Sequence, residues 1–552
     1  MAHREAPNTY ARRTGNMYIF NLMIGTGALT LPLAFSQAGL TFGLLTFMLL
    51  SFVSFMSASW VIETMATANA ILKKERESMS ASINSSLIDS TISENVQDNN
   101  NHNSNNHLEN NDDDDRSLLL SQRHTLKFEI TDRVELGKMA SLFFNKIGLI
   151  SFYVVVIIYL YGDLTIYAAA VPKNLRDLLC PYHDQFSISA LQNLTNYTVH
   201  PDLCWNPDQN PENPENRAIL ANYLPENFNS RKKIYKLFLI LFTIIIGPFT
   251  FFNVEKTKLL QIITMIFRVL AFGCMISIAG MRVYHGQGHG DPNVIGNIHG
   301  LPMLFGCSIY SFMNHHSLPG LITPIKDKRN LLFDMGLVYL MVFLCYTLLC
   351  ITAVLCFKHS DLYDMYTLNF INDPIIQNSQ WKNLKYFFGL FPVLTLGASF
   401  PIIAVTLSNN LKSLFELLLQ NYRRGTDNNF SRRNVDIDDQ PRLHRIMKLS
   451  QNFFLRFAIP LLTIIPPVIV AFSFTDLEKL VAITGSYAGA GIQYVTPACL
   501  VVASRKYVAD KYGVNWSMRN HHKSPFYKMA WICFALLWCL MCIVFVTIDK
   551  KV

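Results

Sequence analysis

Apolar runs of about 20 residues or more, each carrying few charges, alternate with shorter polar stretches along most of the chain. About 20 apolar residues are what a helix needs to cross the roughly 30 Å hydrocarbon core. The pattern predicts eleven such helices, at residues 17–36, 40–70, 149–171, 234–252, 259–283, 301–322, 331–357, 384–411, 453–472, 477–502 and 529–548. The chain is therefore read as an all-α polytopic membrane protein. Two polar regions stand apart. Residues 73–126 are rich in Asn, Ser and Asp, too poor in apolar surface to offset the entropy of ordering, and are expected to be disordered. Residues 131–146 read as an interfacial helix, with Asp132 as N-cap and Glu135 completing a capping box.

Two of the eleven runs are interrupted. In the first, Asn21-Leu22-Met23-Ile24-Gly25-Thr26-Gly27-Ala28-Leu29-Thr30-Leu31-Pro32 places two glycines where an unbroken helix would lose roughly 0.5–1 kcal/mol for each relative to alanine. In the sixth, Ser311-Phe312-Met313-Asn314-His315-His316-Ser317-Leu318-Pro319-Gly320 ends in a Pro-Gly breaker pair. Opened backbone at membrane depth is tolerated only where it is buried in protein or lines a cavity. Paired interruptions in corresponding positions of two halves are the best sequence pointer to a transporter binding site. The plainer reading of Pro319 is a kink near a helix end.

Composition supports the membrane assignment: of 552 residues, 51% are hydrophobic and only 16% charged, against about 25% charged in soluble domains. Mean hydropathy is +0.23. The net charge of +8 matters less than its placement. With residues 1–16 in the cytosol, Lys and Arg gather in the inner loops at 255–258, 326–329, 423–448 and 505–528. The outer loop at 284–300 has neither, so the C-terminus is expected to face the lumen or exterior. The polar N-terminal residues are not expected to act as a cleavable signal. The loop at 172–233 falls outside and carries the sequons at Asn193 and Asn196 together with Cys180 and Cys204, read as a disulfide. The other nine cysteines lie in or beside apolar runs, where a free thiol is a small hydrophobe. Within residues 73–126, Asp115 followed by Leu119 and Leu120 resembles an acidic dileucine sorting signal, which would engage sorting adaptors and direct the protein to lysosomes or endosomes. A local hydrophobic patch, with residence in the plasma membrane, is the alternative.

Five spans, five more and one extra fit two five-helix repeats at 17–283 and 301–502, followed by an eleventh helix at 529–548. The first-span motif, continued by Leu33-Ala34-Phe35 and Ala38-Gly39, resembles the first-span signature of the amino acid/auxin permease superfamily. A nearer likeness is to the transmembrane protein 104 family. It is carried by Thr131-Asp132-Arg133-Val134-Glu135, Tyr159-Leu160-Tyr161-Gly162-Asp163-Leu164, Gly247-Pro248-Phe249-Thr250-Phe251-Phe252 and Met365-Tyr366-Thr367-Leu368-Asn369-Phe370. Phe400-Pro401-Ile402-Ile403-Ala404-Val405-Thr406-Leu407 and Gly491-Ile492-Gln493-Tyr494 extend it. The resemblance implies a LeuT-like inverted repeat with broken first and sixth helices, and secondary amino acid transport, such as symport of small or neutral amino acids.

By that resemblance Asn21, Gly25, Thr26 and Gly27 would line the substrate site, the freed amides gripping a carboxylate at a half-helix N-terminus. Asn314, His315 and Ser317 in the sixth-span break would complete it. Coupling to Na⁺ would use first-span carbonyls near Ile24 with an eighth-span hydroxyl, Ser399 or less directly Thr395, since hard cations want oxygen ligands. The family more often has Thr there. Coupling to H⁺ is the alternative, with His315 or His316 suited by an ordinary pKa near 6.5. Asp163, mid-span, reads either as half of a salt bridge to Arg268 or Arg456 or as a proton relay. No cofactor, resident metal, nucleic-acid partner or catalytic constellation is expected. The bilayer and a small-molecule amino acid are the expected partners. A transporter-shaped sensor or scaffold that binds an amino acid without moving it is the competing reading.

Overall fold

A computed structural model describes residues 9–97, 126–180, 230–251, 258–371, 383–430, 457–513 and 519–548. Among these its regular structure is helical, with one isolated bridge between Tyr10 and Ile325. The helices are α1 (Arg12–Met23), α2 (Thr26–Ala38), α3 (Leu40–Gln97), α4 (Leu136–Phe143) and α5 (Lys146–Leu179). Next come α6 (Arg231–Ile246), α7 (Lys258–Tyr284), α8 (Leu301–Ser311), α9 (Leu318–Ile322), α10 (Leu331–Cys356) and α11 (Thr367–Ile371). The last are α12 (Leu384–Phe430), α13 (Ile459–Ser473), α14 (Leu477–Thr484), α15 (Thr496–Tyr512) and α16 (Met529–Ile548). Among the described residues seven helices are long and apolar enough to cross a membrane, and α1 with α2 forms an eighth candidate bent by 54°. The protein is thus a multi-pass membrane protein. The remaining predicted runs fall into shorter pieces: α8 and α9 are interrupted, α13 has 15 residues, and α14 passes through two π-helical segments before α15.

Burial follows from which face each helix turns inward. Ile244, Val269, Leu270, Leu344, Ile469 and Leu537 stay exposed, as lipid-facing side chains do. Inside, Phe35, Phe47, Phe312, Tyr346 and Phe400 belong to one apolar cluster that contains both interruptions. α2 packs against α8 and α10, α5 against α12, α6 and α13, and α8 against α14. The α8–α14 crossing is made by glycine: a Cβ on Gly306 would meet the Ala482 carbonyl at 2.3 Å, and one on Gly485 the Gly306 carbonyl at 2.1 Å. Small residues that let backbones approach this closely supply packing where lipid offers no hydrophobic drive.

Several sequence expectations need correction. α3 does not end near residue 70 but continues to Gln97, through the first part of the stretch expected to be disordered. Lys73-Lys74-Glu75-Arg76-Glu77 are strong helix formers, and neither Gly nor Pro occurs from residue 44 to 97. The capping box is absent. Asp132 pairs with Arg76 at 2.5 Å, Arg133 with Glu135 at 2.6 Å, and the amides of Thr131 and Asp132 donate to the Asn69 side chain. The helix expected over 131–146 covers only Leu136–Phe143, because Asn145 caps the next helix by accepting from the Gly148 amide. α5 and α12 outrun their predicted ends, to Leu179 and Phe430. Asp115, Leu119, Leu120, Asn193, Asn196, Cys204 and Arg456 lie outside the described residues. Cys180 is buried at the end of α5.

Candidate functional site

The first interruption falls at Ile24 and Gly25, between α1 and α2. The second spans residues 312–317, between α8 and α9. They face each other. The Tyr346 hydroxyl on α10 lies 2.7 Å from the Met23 carbonyl and 3.1 Å from the Ser311 carbonyl, sharing its proton between the two broken ends. The two glycines of the first motif have different tasks. A Cβ on Gly27 would strike the Ser311 Oγ at 2.4 Å and Tyr310 at 2.8 Å, so glycine here lets α2 lie against α8. A Cβ on Gly25 would meet nothing within 4 Å, so the backbone there borders open space. The first amides of α2, including those of Thr26 and Gly27, have no intrahelical acceptor, and the helix dipole makes that end positive.

Among the buried polar atoms without a hydrogen-bond partner in the protein are Asn21 Oδ1 on α1, Ser308 Oγ on α8, Asn314 Nδ2, His315 Nδ1 and His316 Nδ1 in the second interruption, and Ser486 Oγ after α14. Such a group costs roughly 1–3 kcal/mol unless ligand or water satisfies it, and three of these atoms, on Asn314, His315 and His316, lie in the second interruption. The rest of each side chain is held firmly. Tyr339 donates to Asn314 Oδ1 at 2.9 Å, the His315 Nε2 and the Ser57 hydroxyl are 2.8 Å apart, and Tyr159 packs its ring on His316. Gln493 on a π segment reaches Ser54. Ser317 makes no capping bond with its side chain, its amide donating to Asn314 O at 3.1 Å.

Asp163 makes no ion pair with Arg268, and Arg456, the other expected partner, lies outside the described residues. The Tyr310 hydroxyl donates to the Asp163 carboxylate, which among the described residues makes no ion pair. Tyr310 is also 3.4 Å from Thr26 Oγ1, linking Asp163 on α5 to the first interruption through one side chain. Arg268 on α7 is committed elsewhere: its Nη1 donates to the Asn21 carbonyl at 2.8 Å, and its Nη2 lies 3.5 Å from Ser399 Oγ. The other candidate ion ligands bond their protons within their own segments. Thr395 donates to the Phe391 carbonyl at 2.9 Å, Ser399 to the Thr395 carbonyl at 2.9 Å, and the Ile24 amide to Phe20 O at 3.2 Å.

The structure thus brings Thr26 and Gly27 against Tyr310 and Ser311, holds Asn314 on Tyr339 and His315 on Ser57, ties the Asn21 carbonyl to Arg268, and adds Tyr310, Tyr339 and Tyr346, which sequence reasoning missed. Tyrosines inside apolar runs look like ordinary core aromatics. Only the partner across the fold marks them as polar links. An apolar groove of about 930 Å³, lined by Met17, Ile266, Leu270, Cys274 and Met281, opens elsewhere, on the lipid-facing side of α7.

Residues 11–80 and 218–548 match the family described as "Transmembrane amino acid transporter protein". Over 99% of the chain and 97% of the relative, the sequence is 40% identical to Transmembrane protein 104 of Homo sapiens. The corresponding homologue of Drosophila melanogaster is 38% identical over 99% of this chain and 98% of its own. That of Dictyostelium discoideum is 33% identical over 98% and 97%. Asp163 lies outside the stretch matched to the wider transporter family.

Proposed function

This chain belongs to the transmembrane protein 104 family and to the wider family of transmembrane amino acid transporter proteins, and we propose that it carries a small or neutral amino acid across its membrane by alternating access. The observation that carries the reading is the facing pair of helix interruptions joined by the Tyr346 hydroxyl, with open space at Gly25. A zwitterion suits such a place. Its carboxylate meets the amides at the positive start of α2, and its ammonium group meets carbonyls at the negative end of α8.

The eleven predicted runs then form two five-helix repeats and a final helix, with the N-terminus in the cytosol and the C-terminus outside. On this reading Cys180 pairs with Cys204, and Asn193 and Asn196 are glycosylated. Asp115, Leu119 and Leu120 engage sorting adaptors that direct the protein to endosomes or lysosomes. The coupling ion is a proton carried by Asp163. When ionised, Asp163 holds the Tyr310 proton; once protonated it releases that hydroxyl toward Thr26, at the edge of the site. Protonation is in this way tied to the geometry of the first interruption.

A second reading, an amino acid sensor that does not transport, draws on α3 and α12. At 58 and 47 residues they far exceed the roughly 20 needed to span, and offer long surfaces beyond the bilayer. Both readings require binding. Purified protein in lipid nanodiscs is expected to bind at least one labelled neutral amino acid saturably. Gly25→Leu, which fills the open space before the first interruption, should abolish that binding. Undiminished binding in Gly25→Leu would remove the site from this position.

A further inference from the structure

The resemblance assigns a sodium ion to carbonyls of the first span and a hydroxyl of the eighth. The residues found there do not fit it. Arg268 Nη1 donates to the Asn21 carbonyl at 2.8 Å, while Nη2 of the same guanidinium lies 3.5 Å from Ser399 Oγ. One side chain from α7 therefore bridges a first-span carbonyl three residues before Ile24 and the eighth-span hydroxyl assigned to the ion. Two of their neighbours already make hydrogen bonds of their own. The Met23 carbonyl accepts from Tyr346, and the Thr395 hydroxyl is turned back onto its own helix. Ser399 gives its proton to the Thr395 carbonyl, which leaves its oxygen lone pairs to face the guanidinium. Arg268 is buried, at 7% exposure, and among the described residues it makes no ion pair with a carboxylate.

A guanidinium stays charged at every physiological pH, so it supplies permanently the single positive charge that Na⁺ would bring. The negative C-terminal end of α1 and a hydroxyl dipole favour a cation there whatever its source. A second cation placed between the same oxygens would be repelled by the first at close range in a medium of low dielectric.

We propose that Arg268 is a tethered cation standing in the position of the coupling sodium, so that this protein neither binds Na⁺ there nor depends on it. The proposal deepens the transport reading of the same site, yet its test needs neither substrate nor flux and can fail or hold independently. Binding of radiolabelled Na⁺ to purified protein in nanodiscs, with excess unlabelled Na⁺ as the blank, is the measurement. Wild type is expected to show no saturable signal. Arg268→Ala opens the position and is expected to bind Na⁺ saturably, at least ~10-fold above wild type, the ratio set by one order of magnitude in affinity. Arg268→Lys keeps the charge and is expected to stay silent. Saturable binding by wild type overturns the proposal. So does an Arg268→Ala protein that remains monodisperse, melts as wild type does and still binds no Na⁺. Should the alanine variant not fold, Arg268→Gln replaces it, and the wild-type result decides on its own.

Discussion

Gly25 and Gly27 are two residues apart, and their sequence context is nearly the same, but they meet different surroundings. Gly27 sits where a methyl group would press into Ser311 and Tyr310, whereas Gly25 faces open space in an extended conformation that any residue can adopt. Gly27→Ala should therefore destabilise the fold by about 1–3 kcal/mol, the usual cost of overpacking, seen as a lowered melting temperature in detergent. Gly25→Ala should melt as wild type does and weaken amino acid binding instead. Equal melting temperatures for the two variants would undo this division of roles. The motif was legible in the sequence, but the division was not, because it depends on what lies across the interface. The same holds for Arg268. Its charge in an apolar run signalled function and suggested Asp163 as a partner, yet the structure gives it the Asn21 carbonyl and Ser399.

At the scale of elements, apolar runs located the described helix cores except α11, which fell between two of them, because lipid demands that backbone bonds be satisfied within each span. Helix ends were less legible. α3 runs on to Gln97 because its polar continuation keeps high helix propensity, and Asp132 forgoes capping because Arg76 on that continuation offers an ion pair. Contacts between distant elements were invisible from sequence. The segment before α16 is fastened to α3 in this way. Ser59 and Ser524 share a 2.6 Å hydrogen bond, Trp60 donates to the Phe526 carbonyl, and Glu63 accepts from the Ser524 amide and from Arg505 through two 2.7 Å bonds. Glu63 is 3% exposed, so removing its partner strands a buried charge. Arg505→Ala is expected to cost about 3–5 kcal/mol, measured as loss of thermal stability in detergent. A melting temperature unchanged from wild type would show that the clasp contributes nothing.

For the whole molecule, the decisive feature is that two helix interruptions nearly 300 residues apart in sequence meet within the reach of one tyrosine hydroxyl. The pairing of interruptions was legible, since glycines and a Pro-Gly pair break helices wherever they occur. Their closure by Tyr346, and the link from Asp163 through Tyr310 to Thr26, came only with the fold. This meeting place is proposed to move an amino acid across the membrane under a proton gradient. The most direct measurement is uptake of labelled neutral amino acids into proteoliposomes without Na⁺, with and without an imposed pH gradient. Wild type is expected to accumulate at least one amino acid, in a manner that collapses with a protonophore and loses its pH dependence in Asp163→Asn. Saturable binding with no accumulation under any gradient would contradict proton-driven transport.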